Sequence, residues 1–172
     1  NALVESNGDF ETAVDFLRKK GQKIAAKRGE NDAKEGVIIA QSTGDSKAGV
    51  IVTLNCETDF VAKNDGYVQL VQSLVDLALD RLPKSLDELK SLAYNEKLSV
   101  EEKITEQIGI LGEKLDLSAY AIIESEKVVA YNHPGNQLAT LVALNINSDN
   151  ADDAGKQVAM QVAAMNPIAV NK

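Results

Sequence analysis

Cys56 and His133, the single cysteine and the single histidine of this 172-residue sequence, form the obvious candidate pair for thiol chemistry. A nucleophilic thiolate needs a base within reach and an accessible, electropositive setting. Val50, Val52, Leu54 and Cys56 instead alternate along one apolar run, which puts the thiol on the core face of a strand. His133 stands directly before Pro134-Gly135 and reads as a solvated turn residue. A Cys-dependent hydrolase would be labelled at Cys56 by a thiol reagent in the native state, and the register predicts the opposite. No glycine-rich phosphate loop, GxSxG or HExxH occurs. One cysteine and one histidine also fall short of a zinc ligand set, so neither metal nor cofactor is expected.

The second candidate is "NCETDFVAKNDGY", residues 55 to 67, where Phe60 follows Asp59 at the end of an apolar run. Phe60 lies seven residues before Tyr67 and would share its core stripe if one unbroken helix carried both. Asn64-Asp65-Gly66 is turn-forming, however, and could interrupt or begin that helix. Asp59 could equally be a side-chain cap for a first turn, where an acid is favoured. The residues alone leave two readings open: a core ring, or a ring presented to another molecule.

Around these positions the elements read in order. "NGDFETAVDFLRKKG" is a short helix, capped by Asn7 or Asp9, striped with Phe10, Ala13, Val14 and Leu17, and stopped by Gly21. Residues 22 to 35 read as a polar linker. "GVIIAQS" and "AGVIVTLNC" are β-branched runs joined by the turn chemistry of "TGDSK", a hairpin. Tyr67, Leu70, Val71, Leu74, Val75, Ala78 and Leu82 then follow helical spacing up to Pro83. Ser85 with Glu88 and Ser99 with Glu102 offer two capping boxes. Residues 119 to 146 return to strand as a meander, and a helix capped near Asn150 closes the pattern before Pro167. This order predicts an α+β fold, a mostly antiparallel sheet covered on one face by helices.

Composition narrows the function classes. The 44% apolar and 26% charged content is that of an ordinary globular protein, and no apolar run approaches a membrane span. The N-terminus lacks the basic lead and apolar run of a signal peptide, and the lone cysteine fits a reducing compartment, so the cytoplasm is expected. Residues 1 to 35 carry seven basic and seven acidic side chains, leaving the whole net charge of −8 to the rest. Such an acidic body repels phosphate backbones, and no direct nucleic-acid contact is expected. "RKKGQKIAAKR", residues 18 to 28, is the basic exception and reads as a helix end complementing its dipole.

"NCETDFVAKND" closely resembles the signature of the elongation factor Ts family, nucleotide exchange factors for elongation factor Tu. "GEKLDLSAY" and "YNHPG" fall where that family has its "GEN" and His-Gly segments, and "VAMQVAAMNP" is similar to a family helix. "NGDFETAVDFLRKKG" resembles the last helix of the family's N-terminal UBA-like module. The resemblance implies two parts, a remnant of that helical module plus linker over 1–33 and the core subdomain over 34–172. It also implies truncation at both ends.

The family's function supplies further expectations. The resemblance implies elongation factor Tu as partner, with no covalent chemistry. Phe60 would enter an apolar pocket of the GTPase while Asp59 acts near its switch region, within a contact running from Thr58 to Val61. Their insertion would displace the phosphate-binding loop and the Mg²⁺ contacts, so that GDP leaves. Leu111, Gly112 and His133 align with further partner contacts. On this reading Phe60 is partly exposed in the free protein, at the start of a helix beside Asp59. The rival reading is a non-catalytic adaptor domain, which would bind unrelated partners and leave GDP release unchanged.

Overall fold

The computed structural model describes residues 2–168. Two N-terminal helices, the short α1 (Ala2–Glu5) and the long α2 (Phe10–Lys27), lead into the hairpin β1 (Glu35–Ser42) and β2 (Ala48–Cys56). Helices α3 (Asp59–Ala62), α4 (Asp65–Arg81), α5 (Leu86–Ser91) and α6 (Val100–Leu111) follow. Strands β3 (Leu115–Glu124), β4 (Lys127–Asn132) and β5 (Ala139–Leu144) precede the last helix, α7 (Ala151–Met165). The fold is α+β, with antiparallel strand pairs packed against helices.

The main sheet has the order β1-β2-β3, with β1 and β2 in register from Glu35 opposite Cys56 to Ser42 opposite Gly49. Val50, Val52, Leu54 and Cys56 are all fully buried, while Ile51, Thr53 and Asn55 between them are only partly so. The predicted phase of β2 therefore holds, because a one-residue slip would carry all four to the other face. Helix α4 lays Tyr67, Leu70, Val71, Leu74, Val75 and Ala78 on this face, joined by Leu89 of α5 and by Val100, Ile104 and Ile108 of α6. Tyr67 is pinned as well as packed, since its hydroxyl donates to the Leu54 carbonyl at 2.8 Å.

Three local readings change. The strand meander expected over residues 119–146 divides between two sheets: β3 joins β2, and β4–β5 forms a separate hairpin. The division falls where Ser125 N–H donates to Lys47 O and Val128 N–H to Ser46 O, drawing the chain across the β1–β2 turn. The second capping box closes in both arms, but in the first Glu88 takes the N–H of Lys84 instead of that of Ser85. Gly21 does not stop α2, which runs six residues further, so the stretch expected to be linker begins as helix. Gly21 is buried at the crossing of α2 with α6: a Cβ there would land on the Thr105 carbonyl, and one on Gly109 would land on that of Leu17. Two glycines let the helix backbones approach.

The β4–β5 hairpin lies against the main sheet at Gly49, where a Cβ would meet Val128 Cγ1 at 2.6 Å. It also covers the outer edge of β1. The Asn132 side chain takes the Ala40 N–H and donates to the Ala40 carbonyl, both at 2.8 Å, and Ile38 N–H donates to Asn136 O at 2.7 Å. Helix α7 packs on this hairpin through Ala151, Gly155 and Ala159, and Thr140 Oγ1 donates to the Ala159 carbonyl.

Candidate functional site

Where β2 ends, the chain turns sharply into the single helical turn of α3. Thr58, extended at φ −124° and ψ 151°, is its N-cap, and Lys63 follows its last residue. Asn64 then opens α4, its side chain accepting from the N–H groups of Gly66 and Tyr67. The turn-forming triplet thus begins a helix and separates Phe60 from the stripe of Tyr67. Ala62 is the one buried residue of α3, Val61 rests partly on the core, and Phe60 on the far side is 83% exposed. A ring left in water forgoes roughly 1.5–3 kcal/mol of burial. The expectation of an exposed Phe60 at the start of a helix beside Asp59 is met.

Asp59 occupies the first turn without capping it. Lys63 Nζ donates to Asp59 Oδ2 at 2.6 Å, and that bond together with the lysine charge holds the carboxyl below its ordinary range. The same pair raises Lys63. Both side chains are largely in solvent, so the pair is easily exchanged for another partner.

Two carboxylates outside the expected set hold the root of α3. Glu113 Oε1 accepts from Thr58 Oγ1 at 2.8 Å, and its Oε2 from Thr58 N–H at 3.2 Å. Glu57 answers across the same junction: its Oε1 accepts from Lys114 N–H at 2.6 Å, while Oε2 accepts from Arg28 Nη1 and Asn31 Nδ2, each at 2.8 Å. Burial works to raise the Glu57 carboxyl, but the Lys114 N–H, the Asn31 amide and Arg28 outweigh it and keep the group below its ordinary range. Lys114 Nζ continues the network to the carbonyls of Gly29 and Asn31.

This network brings together most of the expected contact residues. Leu111 ends α6 and Gly112 caps it in the left-handed conformation at φ 78°, directly before Glu113, the residue whose carboxylate bonds Thr58. His133 does not join them. It sits exposed on the β4–β5 turn, its Nδ1 2.9 Å from the Tyr131 hydroxyl. Cys56 is buried, its thiol donating to the Thr58 carbonyl at 3.2 Å, and burial pushes it up from its ordinary range. No contact in the described residues links it to His133, and the thiol pair is not assembled.

Among the described residues no group of three or more His, Cys, Asp or Glu is placed to hold a metal. No described helix is long and apolar enough to cross a membrane. Glu57, Glu113 and Arg28 are the side chains that sequence reasoning passed over. Glu113 pairs with a residue 55 positions away, a relation no local pattern carries. Within the basic run, Arg28 is committed to Glu57, and Arg18 to Asp15 and Glu102.

The comparisons with known proteins agree with one another. A family model described as Elongation factor TS matches residues 57–172. An Elongation factor Ts of Christiangramia forsetii is 48% identical over 171 residues, covering 99% of this chain and 61% of that protein. One from Amoebophilus asiaticus is 48% identical over 172 residues, with 99% and 62% covered, and one from Bacteroides thetaiotaomicron is 47% identical over 173, with 100% and 51% covered. The chain therefore spans between about half and three-fifths of the length of these curated relatives.

Proposed function

The chain belongs to the elongation factor Ts family, and from that premise we propose that it binds elongation factor Tu·GDP and speeds GDP release, without covalent chemistry of its own. Phe60 is the wedge. It enters an apolar pocket of the GTPase while Asp59, flanked by Thr58 and Val61, acts near the switch region, so that the Mg²⁺ and phosphate contacts are disturbed. Leu111 and Gly112 extend the same surface, and His133 contributes from the β4–β5 turn. The site of action is the cytoplasm. Residues 1–33 derive from a UBA-like module plus linker, and residues 34–172 form the core subdomain.

The observation that carries this reading is the 83% exposure of Phe60 on a helical turn whose root is held by two carboxylates. Exposure and fixed placement together suit an anchor that must arrive already oriented, because ordering it on binding would weaken the contact. Exchange then follows from linkage: a factor that prefers the emptied GTPase must weaken nucleotide binding in proportion. Truncating such an aromatic anchor commonly costs about 2 kcal/mol or more.

The test compares melting and stimulated release of labelled GDP from elongation factor Tu on one Phe60→Ala sample. Release should slow by about tenfold or more, equivalent to about 1.4 kcal/mol, with little change in melting. A ring belonging to the core would instead cost about 3–5 kcal/mol of stability. Large destabilisation with normal release per folded molecule would sink the wedge. An unmodified chain that leaves GDP release untouched while binding unrelated proteins would establish the adaptor reading.

A further inference from the structure

We propose that Glu113, with Glu57 as its counterpart, is a positioning residue for nucleotide exchange: it fixes the direction in which Phe60 leaves the protein. The inference rests on the exchange reading above. Two chain junctions meet here, β2 into α3 and α6 into β3, and each offers a backbone N–H to the carboxylate of the other. Lys114 N–H goes to Glu57, and Thr58 N–H goes to Glu113. The arrangement is reciprocal, so neither junction can rotate without breaking bonds at both.

Helix α3 needs such an outside hold. It has four residues and one buried side chain, Ala62, and a single helical turn is not stable by itself. A threonine at the N-cap ordinarily turns its oxygen inward to accept from the first-turn N–H groups. Thr58 makes no such cap bond; its hydroxyl donates to Glu113 across the junction instead. The local helix bond is given up for a long-range one, and what the long-range bond fixes is the orientation of the turn that carries Phe60. Bonds to an ionised carboxylate are the stronger kind, suited to holding a short element in one pose.

A double-mutant cycle with Phe60→Ala tests this, read as the maximal rate of labelled GDP release from elongation factor Tu at saturating chain. Glu113→Ala should lower that rate by about tenfold. Glu113→Gln, which keeps the shape and an acceptor, should recover part of the loss, and it keeps the test available if Glu113→Ala does not fold. Hydrogen exchange should quicken at residues 58–63 while residues 50–56 stay protected. In a Phe60→Ala background the same Glu113 substitution should change the rate no further, since a positioning residue has nothing left to position. An equal loss in both backgrounds would overturn the proposal, because a general structural role acts regardless of the ring. So would full-rate release by Glu113→Ala when Phe60→Ala is slow, and that result would leave the wedge standing. Unchanged release by Phe60→Ala alone would remove the wedge, and the positioning role with it.

Discussion

Protonating Glu57 takes a charge away from the point where three segments meet. Its carboxylate accepts from Lys114, Arg28 and Asn31, and these donors hold it below its ordinary value of 4.5. A group whose folded value is depressed binds fewer protons folded than unfolded, so stability rises with pH through that window. The contribution is fully present above about pH 4.5 and is lost as pH falls through the depressed value. Glu57→Gln should therefore melt lower than the parent at neutral pH, yet lose less of its melting temperature on acidification. Thermal melts of both proteins from pH 7 down to about pH 3 check this, and parallel curves would show that the charge of Glu57 is not linked to folding. Lys63 and Asp59 show the opposite design at the same site. Their pair is exposed and disposable, so the acid beside Phe60 is kept ionised without being tied down.

At the crossing of α2 and α6, the helices touch backbone to backbone. A methyl group on Gly21 would meet the Thr105 carbonyl, and carbonyls in a helix cannot step aside as side chains do. Gly21→Ala should push α2 off α6 at a cost of about 1–3 kcal/mol, typical of an overpacked contact. Amide exchange in residues 10–27 should quicken while residues 65–81 keep their protection. Unchanged exchange in α2 would mean that the crossing is not what holds it. This glycine also marks a limit of sequence reading. A glycine after a run of basic residues has two physical uses, ending a helix or admitting a neighbour, and the second depends on Thr105, a partner 84 positions away. Elements whose signals are local were legible, as the stripe of α4, the Ser99–Glu102 box and the Cys56 register show. Legibility of the site divides the same way. The exposure of Phe60 followed from a neighbouring turn triplet together with a family signature, whereas Glu57 and Glu113 answer each other across the fold.

Across the whole molecule, the division of strands into two sheets rests on a short exchange of bonds between the β1–β2 turn and residues 125–128. It frees β4–β5 to fold back over the main sheet, where Asn132 takes hold of Ala40. The outer edge of β1 would otherwise present unpaired N–H and C=O groups, which invite another chain. Asn132→Ala should leave the core intact but make concentrated samples self-associate, seen as light scattering that rises with concentration. A variant as well dispersed as the parent would show that the rest of the hairpin shields the edge unaided. A strand laid against β1 would have satisfied the same groups, but every added strand ends in a new edge as sticky as the last. The carboxamide of Asn132 satisfies the edge at Ala40 and stops there, because a side chain can donate and accept at one residue without offering anything for a further chain to continue.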